Sequence, residues 1–195
     1  ATNAAAGTKR ILLLGDSWTA LMGSFGSFTQ PLADAGLGQY EVAADTAVGG
    51  SKASEWATNA LVGGIPAWDR ISQALDAHPT VDIVHISLGG NDFLGSIQST
   101  MPPEQVSALY DTIASDLRTT ILHIRSIRPN MRVVVCGYDF LNRPKGTWTA
   151  IQMNQKLVEM SQRILAMTQT LPRCTFVQNF GLMQYWAGYP GVYQP

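Results

Sequence analysis

The chain has 195 residues, 46% of them hydrophobic and 14% charged, with a formal net charge of −1. That length is most simply one domain with a good-sized core, and the composition excludes a disordered chain. The near-neutral balance without a basic block argues against nucleic acid or an anionic membrane as partner, and no apolar run approaches the roughly 18 residues of a spanning helix.

The first seven residues, "ATNAAAG", are small and polar and lack a starting methionine. They read as the stub of an export signal or a cloning remnant, with the weight on a secreted or periplasmic protein. "RILLLG" over 10–15 is a strand, taken as the central one of a sheet, and a helix over 20–35 follows, ended by Gly36 and Gly38. A short strand covers 40–44, a Gly/Ser-bearing loop 48–54 and a helix 67–77. "VDIVHISL" over 81–88 is a strand that Gly89-Gly90 stops. Pro102-Pro103 introduces a long helix to about Arg128, with Val106, Leu109, Ile113, Leu117, Ile121 and Ile124 three or four apart. A strand over 131–136 ends at Gly137. The helix over 149–171 carries Met153, Leu157, Met160, Ile164, Met167 and Leu171, a stripe that faces the core rather than forming a methionine-rich binding face. A fifth strand covers 174–178.

Alternating strands and helices imply a mainly parallel sheet with helices on both faces, in one domain over 1–195. Cys136 then ends one strand while Cys174 begins another, so a bridge is awkward and two free thiols are expected. Two cysteines are also too few for a four-thiol zinc site, and they match no redox spacing.

Ligands of an open parallel sheet bind beyond the carboxyl ends of its strands. Three glycine-marked segments fall there: Gly15-Asp16-Ser17, Val48-Gly49-Gly50-Ser51 and Gly89-Gly90-Asn91-Asp92. Each alone reads as a cap or a turn. Together they suit acyl transfer. Ser17 stands at a helix start, where free N–H groups favour developing negative charge. The Asn91 side-chain NH2 and the Gly50 backbone N–H are candidate oxyanion donors, glycine keeping the approach free of a Cβ.

In these residues the chain resembles the SGNH (GDSL-type) hydrolase superfamily: "GDSWT" its first block, "VGGS" its second, "GGND" its third, in the right order and over almost the whole chain. The resemblance implies a three-layer α/β/α sandwich with five parallel strands, flavodoxin-like in outline. It implies Ser17 as nucleophile, with an oxyanion hole from the Ser17 and Gly50 N–H groups and the Asn91 side chain. It also implies hydrolysis of short acyl esters or acetylated carbohydrates, without metal or organic cofactor. Two positions depart from the family pattern. Trp18 replaces a leucine, so it narrows or walls the pocket. Asp45 stands where an asparagine is usual, five residues before Gly50, which leaves Gly49 as an alternative donor. The GxSxG elbow of the other large serine-esterase class is absent around Ser17.

A serine nucleophile needs a base. The family takes it from a late Asp-x-x-His block, yet the three histidines here are His78, His85 and His123. His78 precedes the third strand at the far end of the sheet. His85 lies within that strand, buried and satisfied. His123 sits mid-helix as a solvated surface residue. The favoured expectation is an Asp-x-x-His segment missing from this chain. The alternatives are a base supplied by a partner chain, or a binding module that has lost hydrolysis. Phe180, Tyr185, Trp186, Tyr189 and Tyr193 either cover a sheet edge or wall an acyl or sugar site.

Overall fold

The computed structural model describes residues 8–181. β1 (Thr8–Gly15) passes from an exposed Thr8 to four buried residues at its C-terminal end. A strand flanked on both sides and covered on both faces has no solvent side, hence the unbroken apolar run. Two helices follow in place of the single predicted one, α1 (Ser17–Ser24) and α2 (Thr29–Asp34). Gly26 adopts φ +61° between them and its carbonyl accepts from Thr29 N (2.9 Å), so the chain turns where helical periodicity alone reads straight through.

β2 (Tyr40–Ala47) outlasts its predicted end by three residues, since Thr46 and Ala47 still pair with Leu14 and Gly15. Next come α3 (Ala53–Ala57), the hairpin β3 (Leu61–Val62) and β4 (Ile65–Pro66), and α4 (Ala67–Ala77). Gly63 and Gly64, both at positive φ, make the two-residue hairpin turn that a right-twisted pair favours. β5 (Ile83–Ser87), α5 (Gly90–Ser96), α6 (Pro103–Ile127), β6 (Arg132–Cys136), α7 (Ala150–Gln169) and β7 (Cys174–Val177) complete the described chain.

The five long strands are all parallel, in the order β2-β1-β5-β6-β7. The central strand is therefore β5, not β1. Both are apolar runs buried on two faces, and periodicity does not rank interior strands. One face presents Leu12, Leu14, Val84, Ile86, Val133 and Val135 to a core shared with α4, α6 and α7, and the methionines of the α7 stripe lie in it. α1 packs on the other face, so closely that a Cβ on Gly23 would stand 2.8 Å from Ala44 Cβ. This is the three-layer α/β sandwich, and its right-handed crossovers put α1 opposite α6 and α7. Cys136 and Cys174 are free thiols, their strands paired so that Cys136 faces Val177 and Cys174 faces Val133. Among the described residues no helix is long and apolar enough to cross a membrane.

Candidate active site

All three glycine-marked segments lie at the C-terminal edge of this sheet. The first is a sharp elbow. Gly15 has φ +145°, and a Cβ there would fall 2.1 Å from the carbonyl oxygen of Ser87 on β5. Only glycine lets the two strands meet so closely just before the turn. Asp16 N donates to that same Ser87 oxygen (3.1 Å), and Gly15 O accepts from Val48 N (2.8 Å) and Ser51 Oγ (3.1 Å).

Asp16 then caps α1. It is only 2% exposed; its Oδ1 accepts from Trp18 N (3.0 Å), its backbone oxygen from Thr19 Oγ1 (2.8 Å), and its Oδ2 from the Tyr138 hydroxyl. Burial lifts its carboxyl pKa above the ordinary range, against the opposing pull of these donors. Ser17, the first residue of α1, is exposed. Its hydroxyl therefore sits beside first-turn N–H groups that the helix itself leaves unpaired.

Gly50 is exposed at φ +80°, and a Cβ there would meet nothing within 4 Å. The positive φ gives a backbone reason for glycine at that place, in addition to the open approach that the sequence suggested. Gly49, equally exposed, does not adopt a positive φ. Asn91, in the first turn of α5, donates its side-chain NH2 to Ser51 O (2.9 Å). One amide hydrogen thus ties α5 to the Gly49-Gly50 loop while the other remains for a further acceptor. Asp92 has a separate task. Its buried carboxylate accepts from Ala53 N (2.7 Å), Ser54 N (3.1 Å) and Ser54 Oγ (2.8 Å), capping α3 across the sheet edge.

Ser17 and Asn91 line one cleft of about 120 Å³, with Asp16, Gly90, Trp18 and Tyr138 among its walls. Gly50 stands on the adjoining loop, outside that lining. A second, larger cavity of about 570 Å³ shares Trp18 and Tyr138 as walls and reaches Phe28, His85 and Cys136. Trp18, 44% exposed, thus forms the wall its position implied. Sequence reasoning missed Tyr138. The only available signal was its place just past the C-terminal end of β6, where such folds put functional groups.

None of the three histidines lines the Ser17 cleft. His78 pairs through Nε2 with Asp45 Oδ2 (2.8 Å), which also accounts for the aspartate in β2. His85 is buried, as expected, but not satisfied: Nε2 is 2.9 Å from Cys136 Sγ, while Nδ1 has no partner among the described residues. Phe28 meets its ring edge-to-face at 5.3 Å. Burial holds the His85 pKa below the usual imidazole value and pushes the Cys136 thiol up to about 11. His123 is not a simply solvated residue either. It stacks on Trp68 at 4.4 Å with Nε2 buried, and burial again lowers its pKa. Of the aromatic tail, Phe180 stacks on Phe140 at 4.5 Å; Tyr185, Trp186, Tyr189 and Tyr193 lie outside the described residues.

A serine elbow at the edge of a parallel sheet, facing an asparagine amide, is an arrangement suited to acyl transfer. The sequence profile of the GDSL-like lipase/acylhydrolase family matches residues 13–189, and the chain belongs to that family. Comparison by sequence with curated proteins gives no match. Among solved structures, the carbohydrate acetylesterase Est24 from Sinorhizobium meliloti superposes with TM-score 0.59 at 16% identity, over 88% of this chain and 84% of that one. An inhibitor-bound aryl esterase of M. smegmatis gives TM-score 0.58 at 17% identity, over 88% and 84%. BT4096, a gut microbial diltiazem-metabolizing enzyme, gives 0.61 at 12% identity over 91% of this chain, which spans 38% of that one. At these identities the likeness is one of fold.

Proposed function

We propose that the chain is a serine hydrolase of carboxylic esters, acting on short acyl esters or acetylated carbohydrates. The observation that carries this reading is the exposed Ser17 at the capped start of α1, in the same cleft as the Asn91 amide. Ser17 Oγ attacks the ester carbonyl and its proton passes to a base. The tetrahedral oxyanion is held by the Ser17 and Gly50 N–H groups and the free N–H of Asn91. Collapse expels the alcohol, and water then releases the acid from the acyl-enzyme. The base is an Asp-x-x-His pair carried outside these 195 residues, on a further segment or a separate chain. Family membership and the places of His78, His85 and His123 outside the lining of the Ser17 cleft support this. The carbohydrate acetylesterase among the similar folds supports an acetylated carbohydrate as substrate.

The test is a fluorophosphonate probe on the natural full-length protein, with peptide mapping and turnover of an aryl acetate. Labelling at Ser17, turnover, and loss of both in Ser17→Ala are expected. A folded protein that binds ester ligands without labelling or turnover, and binds them equally well as Ser17→Ala, is a binding module instead.

A further inference from the structure

We propose that Tyr138 is a positioning residue: wedged against Gly90 and hydrogen-bonded to Asp16, it sets the spacing between the nucleophile elbow and the Asn91 turn. The inference rests on the esterase reading for its consequence, not for its geometry. Tyr138 comes from the segment after β6, yet its hydroxyl donates to Asp16 Oδ2, on the far side of β5 in the sheet. The other oxygen of that carboxylate takes Trp18 N (3.0 Å), so the phenol acts on the first turn of α1 through one rigid group. The ring bears on the second loop as well. A Cβ on Gly90 would fall 2.5 Å from Tyr138 Cζ, so the aromatic face lies directly against the backbone next to Asn91.

At 9% exposure, and with burial and the Asp16 charge opposing phenolate, Tyr138 stays a neutral donor at physiological pH. Two segments distant in sequence, the Asp16 elbow and the Gly90 turn, thus converge on one residue. Tyr138 also forms part of the wall between the 120 Å³ cleft and the 570 Å³ cavity. No other side chain hydrogen-bonds the Asp16 carboxylate among the contacts described.

Tyr138→Phe keeps the ring on Gly90 and removes only the hydroxyl. In the full-length protein, kcat for an aryl acetate falls about 10- to 100-fold with KM within about twofold, the size of loss that a small misplacement of reacting groups produces. In parallel, hydrogen exchange at the Trp18 amide quickens at least about fivefold, as expected for a cap that has lost its anchor, while β7 amides are unchanged. Unchanged exchange at Trp18 overturns the proposal. So does a kcat within about twofold of an active wild type, or faster exchange spread evenly over the sheet. If the wild type proves inactive, the esterase reading fails on its own; local quickening at Trp18 then still supports Tyr138 as the anchor of the elbow.

Discussion

Gly15→Ala places a methyl group where β1 and β5 touch. The new Cβ would stand 2.1 Å from Ser87 O and 2.9 Å from Ser87 C, while real Cβ contacts essentially never fall under 3.0 Å. The strands must therefore part by about 1 Å at this point. The obstacle is backbone, so no rotamer change relieves it. The same shift stretches the bond from Asp16 N to Ser87 O, now 3.1 Å, beyond hydrogen-bonding range. Overpacking of this kind costs ~1–3 kcal/mol, a residue other than glycine at this φ ~1–3 kcal/mol, and the lost backbone bond ~1 kcal/mol. The expected loss is ~3–7 kcal/mol, a large share of a typical domain's ~5–15 kcal/mol. Gly50→Ala is the control. Its φ is also positive, but nothing lies within 4 Å of the added Cβ, so it loses only the conformational part, ~1–2 kcal/mol. Urea unfolding followed by circular dichroism reads both: at ~2–3 kcal/mol/M, the Gly15→Ala midpoint drops by at least ~1 M and the Gly50→Ala midpoint by less. Fluorophosphonate labelling slows in Gly15→Ala in step with displacement of the elbow. A Gly15→Ala loss no larger than that of Gly50→Ala would refute the reasoning.

Asn91→Ala removes a proposed oxyanion donor and is expected to lower kcat about 100- to 1,000-fold in steady-state ester hydrolysis, with thermal unfolding showing that the fold persists. Asp92→Ala strands the Ala53 and Ser54 N–H groups at the start of α3 and costs ~2–3 kcal/mol in urea unfolding, whether or not the protein is an enzyme. His85, whose folded pKa lies below the ordinary value, gives a pH signature. On acidification the unfolded chain takes up the imidazole proton first, so this contribution to stability is present above pH ~6.5 and is lost as pH falls below it. His123 is shifted the same way, so urea midpoints compared at pH 7.5 and 5.5 should fall in the wild type, less in His85→Gln, and least in the double variant with His123→Gln.

The five strands and the helices α4, α6 and α7 were legible because each spans enough residues for periodicity to speak. α4 buries Ile71, Ala74 and Leu75 on one stripe, and α6 buries Val106, Ile113, Leu117, Ile121 and Ile124. α3, α5 and the β3–β4 hairpin were not, being five, seven and two-plus-two residues long. Such short pieces are held by contacts from elsewhere, as α3 is by Asp92. The break between α1 and α2 rests on the φ of Gly26, a conformation that composition permits but does not announce. For the candidate site, Ser17, Gly50 and Asn91 stood out because glycine-marked loops at strand ends are rare coincidences. Tyr138 did not, because its bond to Asp16 joins residues 122 positions apart.

The hydrogen bonds of the three motif segments bind them into one frame. Ser51 spends its hydroxyl on Gly15 O and on the Trp56 indole, and its carbonyl on Asn91. Asp16 gives its N–H to Ser87 O and its carboxylate to Trp18 and Tyr138. Asp92 is committed to α3. Each segment thus satisfies backbone groups that another leaves open, and buried polar groups left without partners are costly. Within Gly15–Ser17, Val48–Ser51 and Gly89–Asp92 only Ser17, Gly49 and Gly50 lie exposed, with one Asn91 N–H left over. Most of what reads as a catalytic motif is therefore the frame that holds a serine hydroxyl and two loops in fixed register. A substitution at Ser51, Asp92 or Tyr138 should behave as a change of spacing, whereas one at Ser17 should remove the proposed nucleophile.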